Sequence, residues 1–251
     1  MKACISFSGG LDSTCLLMYL LSKNYDVKCY SFKYGQKHER IELEKAQLNI
    51  SFLQEKNFKV KHQIIDLTDV FNESASSIHS NNNQAIPKGG YTVETQKSTV
   101  VENRNVIFAA IIYGKALSWA KVTNSNVDIF LGIHANEGSI YPDCSDESRL
   151  AAELCFSVSN WDSEKVSYQA PFVKLSKGCV LERGIDAMYD LDLEDCIHQV
   201  LKNTHSCYDP DQKGRSCGQC GSCTERMAAF KYNELDDPVD YADLIFTSLN
   251  L

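Results

Sequence analysis

Positive charge is in short supply in this chain. Its 25 Lys and Arg are outnumbered by 33 Asp and Glu, giving a formal net charge of −8 over 251 residues. Binding along nucleic-acid phosphates needs clustered cations. The balance therefore argues against a broad DNA or RNA surface and leaves room for a local basic pocket. Long apolar runs are missing too, and no window approaches the roughly 18 apolar residues of a membrane span. The opening apolar run is short and ends in Ser8-Gly9-Gly10, without a small-residue cleavage site, so no signal peptide is expected. The expectation is a soluble cytoplasmic protein. An even cysteine framework is also lacking. The 11 Cys form an odd, scattered set, unlike a secreted disulfide scaffold. Cys4, Cys15, Cys29, Cys144, Cys155, Cys179 and Cys196 sit mostly among apolar neighbours and read as small buried hydrophobes. Cys144 stays open as a reactive thiol.

What is present is a 43 % hydrophobic composition, enough for a core. The length suits one large domain, or one with a small appendage. Periodicity predicts strands over residues 2–7, 26–32 and 58–67, with helices over 12–23 and 38–56 between them. This β-α-β-α-β order predicts an α/β, Rossmann-like parallel sheet with helices on both faces. Residues 68–100 read as a long polar loop, which in a compact domain is functional or disordered. Beyond it, helices are predicted over 103–121, 146–158, 176–189 and 193–202, and a buried strand over 128–132. A metal segment over about 203–225 and a further helix close the chain. We expect a catalytic body over 1–202 and a zinc-binding segment over 203–251.

Ser6-Phe7-Ser8-Gly9-Gly10-Leu11-Asp12-Ser13-Thr14 lies where the first strand hands over to the first helix. The leading N–H groups of a helix have no intrahelical partner, and its dipole favours an anion there. Gly9 and Gly10 allow close approach to a phosphate. Ser8, Ser13 and Thr14 add hydroxyls, and Asp12 could hold Mg²⁺. The turn lacks the Gly-Lys-Ser/Thr ending of a Walker A loop and the Gly-x-Gly-x-x-Gly of dinucleotide binders. Near the other end stand Cys207, Cys217, Cys220 and Cys223. Gly218 and Gly221 permit tight turns around one ion. Four thiolates suit a closed, structural Zn²⁺ site; an iron–sulfur cluster is the rival. Such an ion would fasten a segment too poor in apolar residues to hold itself.

The stretch Ser8-Gly9-Gly10-Leu11-Asp12-Ser13 resembles the PP-loop of ATP pyrophosphatases, the adenine nucleotide alpha hydrolase-like group that includes asparagine, GMP and NAD synthetases. That resemblance implies cleavage of ATP between its α and β phosphates. Further landmarks are Tyr34-Gly35-Gln36-Lys37-His38, Arg104-Asn105-Val106-Ile107-Phe108, Gly132-Ile133-His134, Tyr141-Pro142-Asp143-Cys144 and Thr204-His205-Ser206-Cys207-Tyr208. In this order they resemble the 7-cyano-7-deazaguanine synthases, the QueC family, from Phe7 to Cys223. The resemblance implies an ATP-dependent ligase that turns a 7-carboxy-7-deazaguanine into the nitrile with ammonia, and a homodimer. No glutaminase domain fits in this length.

As expectations, residues Ser6 to Thr14 bind ATP. Asp12, Arg104 and Lys177 are catalytic. Tyr34, Gln36, His38, Arg104, Asn105, Tyr141 and Asp143 bind the substrate. The guanidinium of Arg104 suits an oxyanion. Tyr34, Gln36 and His38 follow the end of a strand, where α/β sheets place ligands. One departure stands out: the family has Val-Pro-Gly before its Arg-Asn pair, whereas here the residues are Val101-Glu102-Asn103. It sets an acid beside the expected site. It leaves open a specialised relative that adenylates another acceptor, such as a protein terminus or a modified purine. A tRNA-modifying enzyme and a non-enzymatic nucleotide-binding regulator are the other readings.

Overall fold

The computed structural model describes residues 1–134 and 141–242. Strand β1 (Lys2–Ser6) leads through the glycine turn into helix α1 (Leu11–Ser22), then β2 (Asp26–Lys33), α2 (Glu39–Glu55) and β3 (Val60–Asp66). Helix α3 (Val93–Thr99), α4 (Arg104–Thr123), β4 (Val127–Phe130), α5 (Asp146–Val158) and β5 (Val166–Gln169) follow. Helices α6 (Lys177–Asp190), α7 (Ile197–Lys202) and α8 (Gly221–Tyr232) complete the described α-helices, and four single 3-10 turns lie between the larger elements. The sheet order is β3-β2-β1-β4-β5, and every pairing is parallel.

Strand β1 lies at the centre because both of its faces are apolar. Successive strand side chains point to opposite sides. Ala3 and Ile5 join Leu16, Leu17 and Leu20 of α1 and Val180 and Leu181 of α6 on one side. Cys4 joins Phe108, Ala109 and Ile112 of α4 on the other. The strand order changes direction between β1 and β4, and the carboxyl ends of these two strands open the crevice where parallel α/β sheets bind ligands.

Several expectations need correction. Strand β5 escaped the sequence reading because Val166-Ser167-Tyr168-Gln169 offers only two apolar residues, whereas β4 runs into the apolar Ile129-Phe130-Leu131. The stretch 68–100 is not a plain polar loop. It carries α3, closed at its start by a reciprocal Thr92–Thr95 capping box, and it buries Ile78 and Ile86. Helix α8 does not follow the cysteine segment but begins inside it, with Cys220 as its N-cap. Cys4, Cys15 and Cys29 are buried as expected, but Cys144, Cys179 and Cys196 are half-buried and Cys155 is exposed. Helix α4 is, by length and composition, apolar enough to cross a membrane, contrary to the expectation. Its Phe108, Ala109, Ile112, Ala116 and Ala120 instead pack in the core.

Candidate active site

The glycine turn sits on the sheet's carboxyl edge. Gly9 has φ +79°, and a Cβ on it would lie 2.6 Å from the backbone nitrogen of Ala46 and 2.7 Å from the carbonyl oxygen of Glu42. Only glycine lets the turn pack this closely on the first turns of α2. Gly10 is the N-cap of α1. Its N–H donates to Ser8 Oγ at 3.1 Å, and Ser8 and Ser13 hydroxyls lie 3.1 Å apart. The leading N–H groups of α1 thus face a cavity of about 250 Å³ together with hydroxyls, the arrangement that receives a phosphate.

Four charged or titratable side chains meet beside this turn. Lys177, at the start of α6, places Nζ 3.2 Å from Asp12 Oδ2 and 2.8 Å from Glu225 Oε2. His134 Nε2, past the end of β4, lies 3.6 Å from Asp12 Oδ2 and 3.9 Å from Glu225 Oε2. Burial pushes the Asp12 carboxyl up, but Lys177 and His134 outweigh it and hold the group well below the usual carboxylate range. Burial pushes Lys177 down, yet its two carboxylates keep it firmly protonated. Asp12 Oδ1 is buried without a hydrogen-bond partner. A hard cation bridging this oxygen and a phosphate would satisfy it, so the donor chemistry fits Mg²⁺.

The opposite wall is aromatic and basic. Arg104, the first residue of α4, donates from Nη1 to the Tyr34 hydroxyl at 3.1 Å and lies over its ring. Asn105 Nδ2 reaches Cys144 Sγ at 3.5 Å. Tyr141 and Thr99 hydroxyls are 2.7 Å apart, and those of Tyr91 and Tyr208 are 3.2 Å apart. Burial raises Cys144 to about 12, so it is no thiolate nucleophile at neutral pH. Glu42 and His38 close the cavity on the α2 side.

Of the residues expected at the site, Ser6, Phe7, Ser8, Gly10, Leu11, Asp12, Ser13, Tyr34, His38, Arg104, Asn105, Tyr141 and Lys177 line this cavity. Gly9, Thr14, Gln36 and Asp143 do not. Gly9 serves the turn's packing. Thr14 is 1 % exposed and its hydroxyl has no partner. Gln36 accepts from Tyr34 N at 2.9 Å and donates to Phe32 O and to Glu42, which shapes the wall from behind. Asp143 lies beside the Cys144 thiol.

The thiol sulfurs of Cys207, Cys217, Cys220 and Cys223 all lie within 4.8 Å of one another and could hold a metal ion. Backbone N–H groups of Asp209 and Cys217 donate to Cys207 Sγ, and those of Gln219 and Cys220 to Cys217 Sγ. Such donors stabilise thiolates around a cation. The segment they organise is part of the cavity. His205, Ser206, Tyr208, Ser222 and Glu225 all line it, and His205 N–H donates to Gly9 O at 3.0 Å.

The family described as "Queuosine biosynthesis protein QueC" matches this chain over residues 2–234. The chain belongs to the QueC family. Among its relatives is a 7-cyano-7-deazaguanine synthase from Methanoregula boonei, 36 % identical over 96 % of this chain and 99 % of the relative. Another, from Caldicellulosiruptor saccharolyticus, is 36 % identical over 96 % of both chains. A 7-cyano-7-deazaguanine synthase 2 from Colwellia psychrerythraea is 34 % identical over 96 % of this chain and 99 % of that one. Among solved structures, NMN synthetase from Francisella tularensis covers 93 % of this chain and 77 % of its own at 14 % identity, with a TM-score of 0.38. So loose a likeness carries no weight below.

The departure from the QueC pattern at 101–103 has a simple geometry. Asn103 takes φ 56° as the N-cap of α4, a left-handed conformation that asparagine tolerates best after glycine. Glu102 is exposed and turns away from the cavity. It accepts from Ser74 Oγ at 2.7 Å and Ala75 N at 3.3 Å. Glu102 is thus no part of the cavity wall. Sequence reasoning missed His134, Glu225, Glu42, Tyr91, Gln96 and Tyr208. His134 and Tyr208 stood inside quoted landmarks, and Glu225 lies two residues past Cys223. Glu42, Tyr91 and Gln96 carried no local signal.

Proposed function

We propose that this chain converts 7-carboxy-7-deazaguanine to 7-cyano-7-deazaguanine, using ammonia and two molecules of ATP. It is an ATP-dependent ligase of queuosine-type deazapurine synthesis, and the acceptor is the small molecule. The observation that carries this reading is the Asp12–Lys177 pair beside the open start of α1, facing Arg104 across one cavity. That cavity has a phosphate end and an oxyanion-plus-aromatic end.

The chemistry follows from what a carboxylate lacks, a leaving group. A substrate carboxylate oxygen attacks the α-phosphorus of ATP, the bond to the bridging oxygen breaks and pyrophosphate leaves. Ammonia then attacks the carbonyl carbon, the C–O bond to AMP breaks and an amide forms. The amide oxygen is adenylated by the second ATP. Loss of the remaining nitrogen protons with AMP leaves the nitrile. Both substrate oxygens depart on AMP, so one ATP pocket serves both rounds.

The glycine turn, Ser8 and Ser13 hold the departing phosphates, and Lys177 offsets their charge. Magnesium, held by Asp12 and the phosphates, would neutralise charge that develops on pyrophosphate. Arg104 with Tyr34 and Asn105 orients the carboxylate, and the tyrosines Tyr91, Tyr141 and Tyr208 pack on the deazapurine. Cys207, Cys217, Cys220 and Cys223 would hold a zinc ion, which would tie the C-terminal zinc-binding segment that begins at residue 203 to the catalytic body 1–202 without taking part in the chemistry. The working form is a homodimer in the cytoplasm.

Mass spectrometry after incubation with ATP, Mg²⁺, ammonium and 7-carboxy-7-deazaguanine tests the reading. The expected products are the nitrile, AMP and pyrophosphate. ADP with orthophosphate, or no nitrile, overturns it. Elemental analysis separates zinc from iron, and light scattering checks the dimer.

A further inference from the structure

We propose that Glu42 is the proton acceptor for the nitrogen nucleophile, taking a proton from ammonium in the cavity and so generating the ammonia that attacks the adenylate. This rests on the reaction proposed above. At neutral pH ammonia is mostly ammonium, as unperturbed amines are, and its lone pair is then unavailable. The amide-forming step therefore needs a base within reach of the reacting carbon.

Glu42 lies in the first two turns of α2 and lines the cavity. Its carbonyl oxygen abuts Gly9, so the residue stands against the turn that faces the phosphates. Its Oε2 accepts from Gln36 Nε2 at 2.8 Å, which fixes the carboxyl's orientation. Its Oε1 has no protein hydrogen-bond donor among the described residues. The charged and titratable groups facing it are Arg104 from α4, His38 from the turn before α2, at 3.9 Å, and Glu39 on its own helix.

The other carboxylates and imidazoles here suit the task less well. Asp12 and Glu225 are both ion-paired with Lys177. Burial, with His205 and Arg104 nearby, lowers His38 to about 3, which makes it a weak base. Burial raises Glu42 to about 7 against the pull of Gln36 and Arg104. A base poised there is ionised often enough to act and basic enough to take the proton. The step balances: an ammonium N–H bond breaks, an O–H bond forms on Glu42, ammonia's lone pair makes the C–N bond as the C–O bond to AMP breaks, and the acyl-ammonium so formed loses its extra proton to the phosphate of the departing AMP or to water, leaving the neutral amide. The proton on Glu42 then passes to water.

The test is Glu42→Gln, with Glu42→Asp as the conservative partner, in the full-length enzyme with its metal retained. Adenylation is followed by pyrophosphate exchange without ammonium, and amide plus nitrile formation by mass spectrometry with ammonium chloride. Near neutral pH, Glu42→Gln should lower nitrogen transfer by about a hundredfold or more relative to adenylation. Its nitrogen-transfer rate should climb about tenfold per pH unit as solution ammonia replaces the base, whereas the parent enzyme levels off above neutrality. Glu42→Asp should recover part of the loss. Equal losses in adenylation and nitrogen transfer, or a parental pH profile in Glu42→Gln, overturn the proposal. If the parent enzyme itself adenylates nothing, the proposed function fails instead.

Discussion

The glycine turn and the cysteine segment meet at one cavity by different physical means. At the N-terminal end, Ile5, Phe7, Leu11, Leu16 and Leu17 are almost fully buried, and the glycine turn rides on that packed core. At the C-terminal end, Ala229 and Phe230 of α8 join that core, and a cluster of four cysteines and one buried charge pair are added to it. Arg226 is 1 % exposed. It donates to Asp237 from Nε at 2.8 Å and from Nη2 at 3.0 Å, and to Thr204 Oγ1 at 2.7 Å. Apolar burial is spread over many contacts and degrades gradually. A metal cluster and a desolvated ion pair each fail at a single atom. The first means seats the glycine turn on a closely packed support. The second lets a short segment bring Tyr208, Ser222 and Glu225 to the cavity wall.

Removing the metal should separate the two ends most clearly. Chelation, or Cys220→Ser, should release on the order of 10 kcal/mol of metal-linked stabilisation from the segment. Hydrogen exchange would read this as lost protection in 203–232, with protection retained in β1 and α1. Simultaneous loss at both ends would break the comparison. Asp12→Ala should lower AMP formation by about a thousandfold, since it removes the partner of Lys177 and the oxygen offered to Mg²⁺. Its circular dichroism spectrum should be unchanged.

Arg226→Met strands the Asp237 carboxylate and should cost about 3–5 kcal/mol. Leu17→Ala, which opens a void in the apolar end, should cost about 2–5 kcal/mol. Denaturant midpoints would compare them. If Arg226→Met costs nothing, the charge pair is not what holds the C-terminal end.

The pH dependence at Glu42 sharpens the contrast further. Its folded pKa is raised from 4.5 to about 7. The protonated form is thus favoured in the fold, and that advantage is present below the unfolded value and lost as pH rises through 7. Glu42→Gln, which cannot ionise, should then gain stability over the parent at about pH 8 but not at about pH 4, by up to a few kcal/mol. Thermal melts at both values check the sign. Smallest of all, Asn103→Gly should stay within about 0.5 kcal/mol of the parent, and Asn103→Val should lose about 1–2 kcal/mol at its positive φ.

Most of the architecture was legible in the sequence because it rests on local patterns. Strands β1, β2, β3 and β4 and helices α1, α2, α4, α5 and α6 announce themselves through apolar runs and helical periodicity. Strand β5, no shorter than β4, has only Val166 and Tyr168 as apolar residues, too few for a pattern to emerge. Helix α3 is built from Val93-Glu94-Thr95-Gln96-Lys97-Ser98-Thr99, which has no apolar stripe, and it depends on its capping box. At the site, the glycine turn and the cysteine spacing could be read directly, since each is a contiguous chemical unit. Lys177 was a candidate with an ordinary surface lysine as its rival. Only the meeting of α1, α6 and α8 buries it between Asp12 and Glu225.

By itself, the order of residues determined a parallel sheet opening on a phosphate-type turn, a four-thiol cluster and the family to which both belong. These depend on neighbours within a few positions, where spacing alone dictates geometry. The tertiary structure decided which distant groups share one cavity: Asp12 with Lys177, His134 and Glu225, and Tyr34 with Arg104. It also decided that Glu42, an ordinary acid on a helix by its letters, is half-buried beside Gln36 and His38 with a shifted proton affinity. Burial and long-range charge are properties of the assembled fold, and no local pattern encodes them.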